Sequence, residues 1–333
     1  MNVYQDIEPT VQRVLDGLFP ELDAAEPRWD GVVEEVRARK RRRLILDKRV
    51  ARITAVAIAA LLAVAIPSSL IRNQKLGASD AAAQLLKRTA QRAAAIPTAR
   101  AGTYRYEKVK VLEAGISLQM PHPHTVLVPR IRETWTAADG SGRRRETTGQ
   151  PLFPSEQDHR RWLAAGDELP SAGKTSEERY GPRAYLAEDA RLPTEVDALS
   201  AALRERARKL EPPLSAGLVI EVGDLLASPA TTPALRAGLY KVLARSDGVE
   251  LDGTTTDSIG RTGVAISVPA GYSNDAKDLR EVLIFDPQSS TVLERRTVLV
   301  KPVAWTGATP PATIGSTTYL ASGNVDSTAS TGS

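Results

Sequence analysis

Few residues in this chain have the type and spacing to do chemistry. His122, His124 and His159 are its only histidines, and it has no cysteine. In His122-Pro-His124 an extended loop could offer two imidazoles to one metal ion. No thiolate exists to complete such a site, however, and no Asp or Glu lies within several residues. The alternative is a solvated loop. Glu188 and Asp189 form an acidic pair just before a helix starting near Leu192, where carboxylates favour a helix N-terminus as readily as they do acid–base work. Arg143, Arg144 and Arg145 could clamp a phosphate or a lipid headgroup, or form one exposed, partly paired strand end. Trp135, Trp162 and Trp305 are core or rim residues, one of which could line a cleft. There is no G-x-S-x-G, no H-E-x-x-H and no phosphate loop. The sequence therefore assigns no catalytic, cofactor-binding or metal-binding residue, and it does not support an enzyme.

The elements that must position these residues alternate between two periods. Ser79 or Asp80 caps an Ala-rich helix, DAAAQLLKRTAQRAAAI, which Pro97 stops. The period then changes to two. Tyr104, Tyr106, Lys108 and Lys110 share one face of a strand, and Arg105, Glu107, Val109 and Val111 share the other. A second strand is expected over residues 125–137, and the turn ADGSGRRRE leads to a third. Residues 151–182 read as a long polar excursion with at most one helical turn near 158–164. Helices follow at 194–210 with Thr194 as N-cap, at 219–227, and from Thr232 as N-cap with Pro233 in the first turn. Two strand pairs come next, GVELDGTTTDS with GRTGVAISVP and EVLIFDP with TVLERRTVLV. A last short strand is expected near 317–320.

Ahead of this region, residues 53–71 carry no charge, and as a helix they would span roughly 28 Å, close to a bilayer's hydrocarbon thickness. Nine Lys and Arg residues crowd into positions 37–52, against Arg72 and Lys75 close behind. The positive-inside rule then predicts a single-pass membrane protein with residues 1–52 cytoplasmic and the rest extracytoplasmic. The expected domains are a cytoplasmic helical segment at 1–52, a transmembrane helix at 53–71, an α+β domain at 72–320 and a disordered tail at 321–333. The fold class is α+β: a single transmembrane helix followed by an exported domain with a curved antiparallel sheet packed by helices.

Net charge is +4 and the pI is about 9.3, but the basic excess is local. Residues 1–35 hold nine acids and two bases, and residues 36–52 nine bases and one acid. That asymmetry fits a membrane collar and gives no reason to expect nucleic acid as a partner. Ile7, Val11, Val14, Leu15 and Leu18 make an apolar stripe on a short helix, and Trp29, Val32, Val33 and Val36 mark a second. The two stripes must pair with each other or with a cytoplasmic protein. The absence of cysteine excludes disulfides and thiolate chemistry.

The segments YRYEKVKV, WTAADGSGR, LPTEVDALSAAL, LYKVLARSDGVEL, GRTGVAI and LIFDPQSSTVLERRTV, in this order, resemble the actinobacterial CU044_5270 family of single-pass membrane proteins over residues 80–320. That resemblance implies an architecture and no assigned activity. In outline the outer domain is also similar to exported domains of the LolA and RseB type, which hold lipid in a cleft or sense envelope state. Two functions are therefore expected to compete. One is a membrane-anchored binding or sensor protein acting on a cytoplasmic partner such as a sigma factor. The other is an anchored handler of lipid or lipoprotein. The candidate partners are the membrane, a cytoplasmic protein at the N-terminal helices, and a lipid or envelope ligand outside; no cofactor is expected.

Overall fold

The computed structural model describes residues 78–97, 102–117, 122, 124–182, 192–210, 213–270, 278–303 and 306–330. In chain order they form α1 (Asp80–Ala95), β1 (Tyr104–Ser117), β2 (His124–Ala137), β3 (Gly142–Thr148), α2 (Glu156–Ala165), β4 (Thr175–Tyr180), α3 (Val196–Ala207), α4 (Leu214–Ala227) and α5 (Pro233–Ala244). They end with β5 (Glu250–Thr256), β6 (Thr262–Pro269), β7 (Leu279–Asp286), β8 (Thr291–Leu299) and β9 (Ala312–Val325).

All nine strands belong to one antiparallel sheet, ordered β4-β3-β2-β1-β9-β8-β7-β6-β5. Two meanders built from sequence neighbours, β1 to β4 and β5 to β8, are welded by β9, which pairs with β1 on one side and β8 on the other. Register shifts at Lys108/Val109, Leu251/Gly253, Ile284/Phe285 and Thr297/Val298 mark bulges, which add local twist.

Helices α1, α3, α4 and α5 share one core with the sheet. Leu86, Leu199, Leu203, Leu239 and Leu243 lie fully buried against Ile266, Leu283 and Phe285. Tyr240 tilts against Phe285 and spends its hydroxyl on the carbonyl of Ser290 at 2.9 Å, so its burial leaves no polar atom unpaired. Four of the five described helix starts are capped by side chains: Ser79, Ser155, Glu195 and Thr232 each accept from a backbone N–H of the first turn, whereas α4 follows Pro213 without a side-chain cap.

The fold class expected from sequence is corrected in its first element. Among the described residues the architecture is a nine-stranded antiparallel sheet with five helices, none of them long and apolar enough to cross a membrane. The reason is length and charge. The longest described helix, α1, has 16 residues, or roughly 24 Å, and carries Lys87, Arg88 and Arg92. The most apolar, α4, has 14 residues and includes Glu221 and Asp224. Residues 53–71, the expected N-terminal helices, and Glu188, Asp189 and Trp305 lie outside the described residues.

Three further elements differ from expectation. The polar excursion contains the ten-residue α2 and the edge strand β4. The short last strand is the 14-residue β9, which runs through residues 321–325. Glu195, rather than Thr194, caps α3, its carboxylate accepting from the N–H groups of Asp197 and Ala198.

Candidate functional site

A cavity of about 390 Å³ opens between the helix-facing side of the sheet and the C-terminal half of α4. Its floor crosses four neighbouring strands, β2, β1, β9 and β8, because residues opposite each other in an antiparallel pair share a face. On β1 that face begins charged, with Arg105 and Glu107, and ends apolar, with buried Val109 and Val111. Directly opposite on β2 stand Thr136, Thr134 and Arg132. Tyr319 and Arg295 come from β9 and β8, and Asp224, Glu221 and Ser228 from the helix and its end.

Asp224 reaches the sheet because α4 lies close upon it. A Cβ on the preceding Gly223 would come to 3.1 Å from Leu283 Cδ1 and 3.4 Å from Arg295 Cδ. That approach lets the Tyr319 hydroxyl donate to Asp224 Oδ1 at 2.6 Å, with Arg295 Nε 3.5 Å from the same oxygen. Arg295 Nη1 donates to Glu281 Oε1 at 3.1 Å, and Thr297 donates to the other oxygen of Glu281 at 2.9 Å. Arg132 donates to Glu146 at 2.7 Å, and Arg206 faces Glu221 at 4.0 Å. The cavity thus has a rim of internally compensated charge and a floor that changes from polar to aliphatic along β1.

Burial and crowding of carboxylates alter the acidity of its groups. Burial, then the charge of Asp224, push the Glu107 carboxyl up to about 7, with Arg132 opposing. Burial also raises Glu281, against Arg295 and Thr297. Tyr319 is raised far above the ordinary phenol range by burial and by Asp224. For Arg295 burial works against the charged form, but Asp224, Tyr319 and Glu281 outweigh it and hold the guanidinium firmly protonated. The cavity can therefore exchange a proton at Glu107 near neutral pH and present fixed positive charge at Arg295.

No protein-family model matches this chain. No curated protein matches it either.

The residues singled out from sequence lie elsewhere. His124 is buried at the start of β2, with Nδ1 2.9 Å from the carbonyl oxygen of His122 and Nε2 3.0 Å from Asp167 Oδ2. His122 and His124 therefore meet through a backbone oxygen rather than at a shared centre. His159 stacks on Phe153, with centroids 4.5 Å apart, and Trp162 tilts against the same ring at 5.4 Å. Among the described residues no group of three or more His, Asp or Glu side chains could hold a metal ion. Arg143, Arg144 and Arg145 pair with Glu177, Glu178 and Glu133. No motif in the sequence marks Arg105, Glu107, Asp224, Arg295 or Tyr319 as functional. The one signal was a charged start, Arg105 and Glu107, to the strand face completed by Val109 and Val111.

Proposed function

We propose that this chain is a binding or sensing protein without catalysis, and that its ligand is a small, polar, charge-bearing molecule held between the sheet and α4. The observation that carries this reading is the lining of the cavity. Arg105, Arg132, Arg206 and Arg295 converge there with Glu107, Glu221 and Asp224, in a volume suited to a small molecule. A lining this charged favours a polar ligand over the acyl chain that a lipid carrier would hold. As a sensor, the protein would report an occupied cavity to a partner of residues 1–35, whose excess of nine acids over two bases suits a basic protein.

The test is thermal unfolding of the full-length chain against a panel of amino acids, dicarboxylates and sugar phosphates, alongside Thr134→Phe, which narrows the cavity without changing its charge. The reading expects a compound that raises the wild-type midpoint and leaves the variant unmoved. If acyl-chain probes bind while every polar compound fails, the lipid reading replaces it. Equal shifts in both proteins would place the ligand outside this cavity.

A further inference from the structure

The opposite side of the sheet holds a second arrangement, independent of the cavity. Trp135 and Arg143 face each other across the β2–β3 pair, and Trp135 is 1 % exposed. One side of its indole meets Tyr106, with centroids 5.2 Å apart. The guanidinium carbons of Arg143 and Arg145 stand 5.0 and 5.9 Å from its ring. Glu133 holds the surround, accepting from the Tyr106 hydroxyl at 2.8 Å and from Arg145 Nε at 2.8 Å.

What closes this site is residues 326–330, just beyond β9. The indole Nε1 donates to the carbonyl of Ser330 at 2.7 Å, and Arg143 Nη1 donates to the carbonyl of Thr328 at 2.8 Å. The segment is a turn, with Ser330 N donating to Ser327 O at 3.2 Å and the two hydroxyls of Ser327 and Ser330 2.9 Å apart. Only Thr328 is half-buried; Asp326, Ser327, Ala329 and Ser330 are exposed. The segment therefore holds the indole N–H of a ring that Tyr106 and Val325 already pack against, while burying almost nothing of its own. Its two long-range hydrogen bonds end on main-chain oxygens, so neither reads a side chain.

We infer that Trp135 and Arg143 form a recognition site for the main-chain carbonyls of a peptide turn, and that residues 326–330 are its resident, displaceable occupant. The partner it fits is another polypeptide segment of small residues in the same turn. Two hydrogen bonds set against the ordering of five largely exposed residues make a cover that can leave without disturbing the sheet. Once it leaves, the indole N–H and Arg143 Nη1 become available together, while Arg143 Nη2 stays on Glu177.

The experiment compares the full-length chain with one ending at Val325, using a labelled synthetic peptide of residues 324–333 as the probe. The truncated chain should bind the peptide at least about tenfold more tightly than the full-length chain. In the truncated background, Trp135→Phe, which keeps a ring but loses the N–H donor, and Arg143→Ala should each weaken binding about tenfold or more. Trp135 fluorescence, isolated by replacing the other tryptophans, should become open to acrylamide on truncation. A truncated chain that folds and binds no peptide overturns the inference, as does equal binding by both chains. A truncated chain that fails to fold makes 326–330 part of the core and overturns it too.

Discussion

Replacing Glu107 by Gln removes a carboxylate whose proton the cavity holds near neutrality. In the folded chain this carboxyl is raised from 4.5 to about 7. A shift of that size corresponds to about 3 kcal/mol between protonation states, an upper figure because the side chain is only half-buried and water screens part of the effect. The sign follows from proton counting. Between pH 4.5 and about 7 the folded state holds a proton that the unfolded state has released, so stability is fullest below 4.5 and falls as pH rises through about 7. Gln does not titrate. The unfolding free energy of Glu107→Gln minus that of wild type should therefore grow by about 1–3 kcal/mol from acid to mildly alkaline pH, with the variant gaining. Urea unfolding of both full-length proteins at a series of pH values measures this difference, and carboxylates uncoupled to Glu107 cancel in it. Asp224, the charge that adds to the shift, stays in place in both. A difference flat within about 0.5 kcal/mol, or one growing toward acid pH, would refute the account of the cavity's electrostatics.

Other substitutions probe the frame that holds the site. Thr232→Ala deletes the cap whose hydroxyl accepts from Leu235 N at 3.2 Å and should cost about 1 kcal/mol by chemical unfolding. Asp257 is fully buried and accepts from Ile259 N, Arg261 N and Arg261 Nε at 3.1, 2.8 and 2.6 Å. Asp257→Ala leaves a guanidinium and two backbone donors without it and should cost about 3–5 kcal/mol, while a loss under about 1 kcal/mol would mean water replaces it freely. Gly142→Ala would place a Cβ 2.0 Å from the carbonyl oxygen of Trp135, inside any tolerable contact, so the β2–β3 hairpin must shift. A protein with wild-type stability and an unchanged Trp135 fluorescence spectrum would contradict that packing.

Local features were legible in the residues themselves. The cap read as Ser79 or Asp80 and the cap at Thr232 depend on neighbours a few positions apart, and the structure forms them at Ser79 and Thr232. The strand face of Arg105, Glu107, Val109 and Val111 was legible for the same reason, since period two alone assigns it. The ten-residue α2 was expected as at most one helical turn because its apolar residues, in EQDHRRWLAA, come in one run at the end instead of in a stripe at helical spacing. It is anchored by contacts distant in sequence, Asp158 accepting from Thr125 N at 2.9 Å among them.

The candidate site belonged to tertiary structure. Glu107 and Asp224 are separated by over a hundred residues, and the Tyr319 to Asp224 bond spans 95. They meet only because β9 crosses the whole chain to lie between β1 and β8, and because Gly223 lets α4 settle onto β7 and β8. Periodicity says which face of each strand is buried, but it cannot say which strand lies next to which. That adjacency is decided by the one arrangement that covers the sheet's apolar face with helices while satisfying every central strand's backbone groups. The same adjacency, which runs β9 beside β1, put residues 326–330 against Trp135 and Arg143 of the local β2–β3 hairpin.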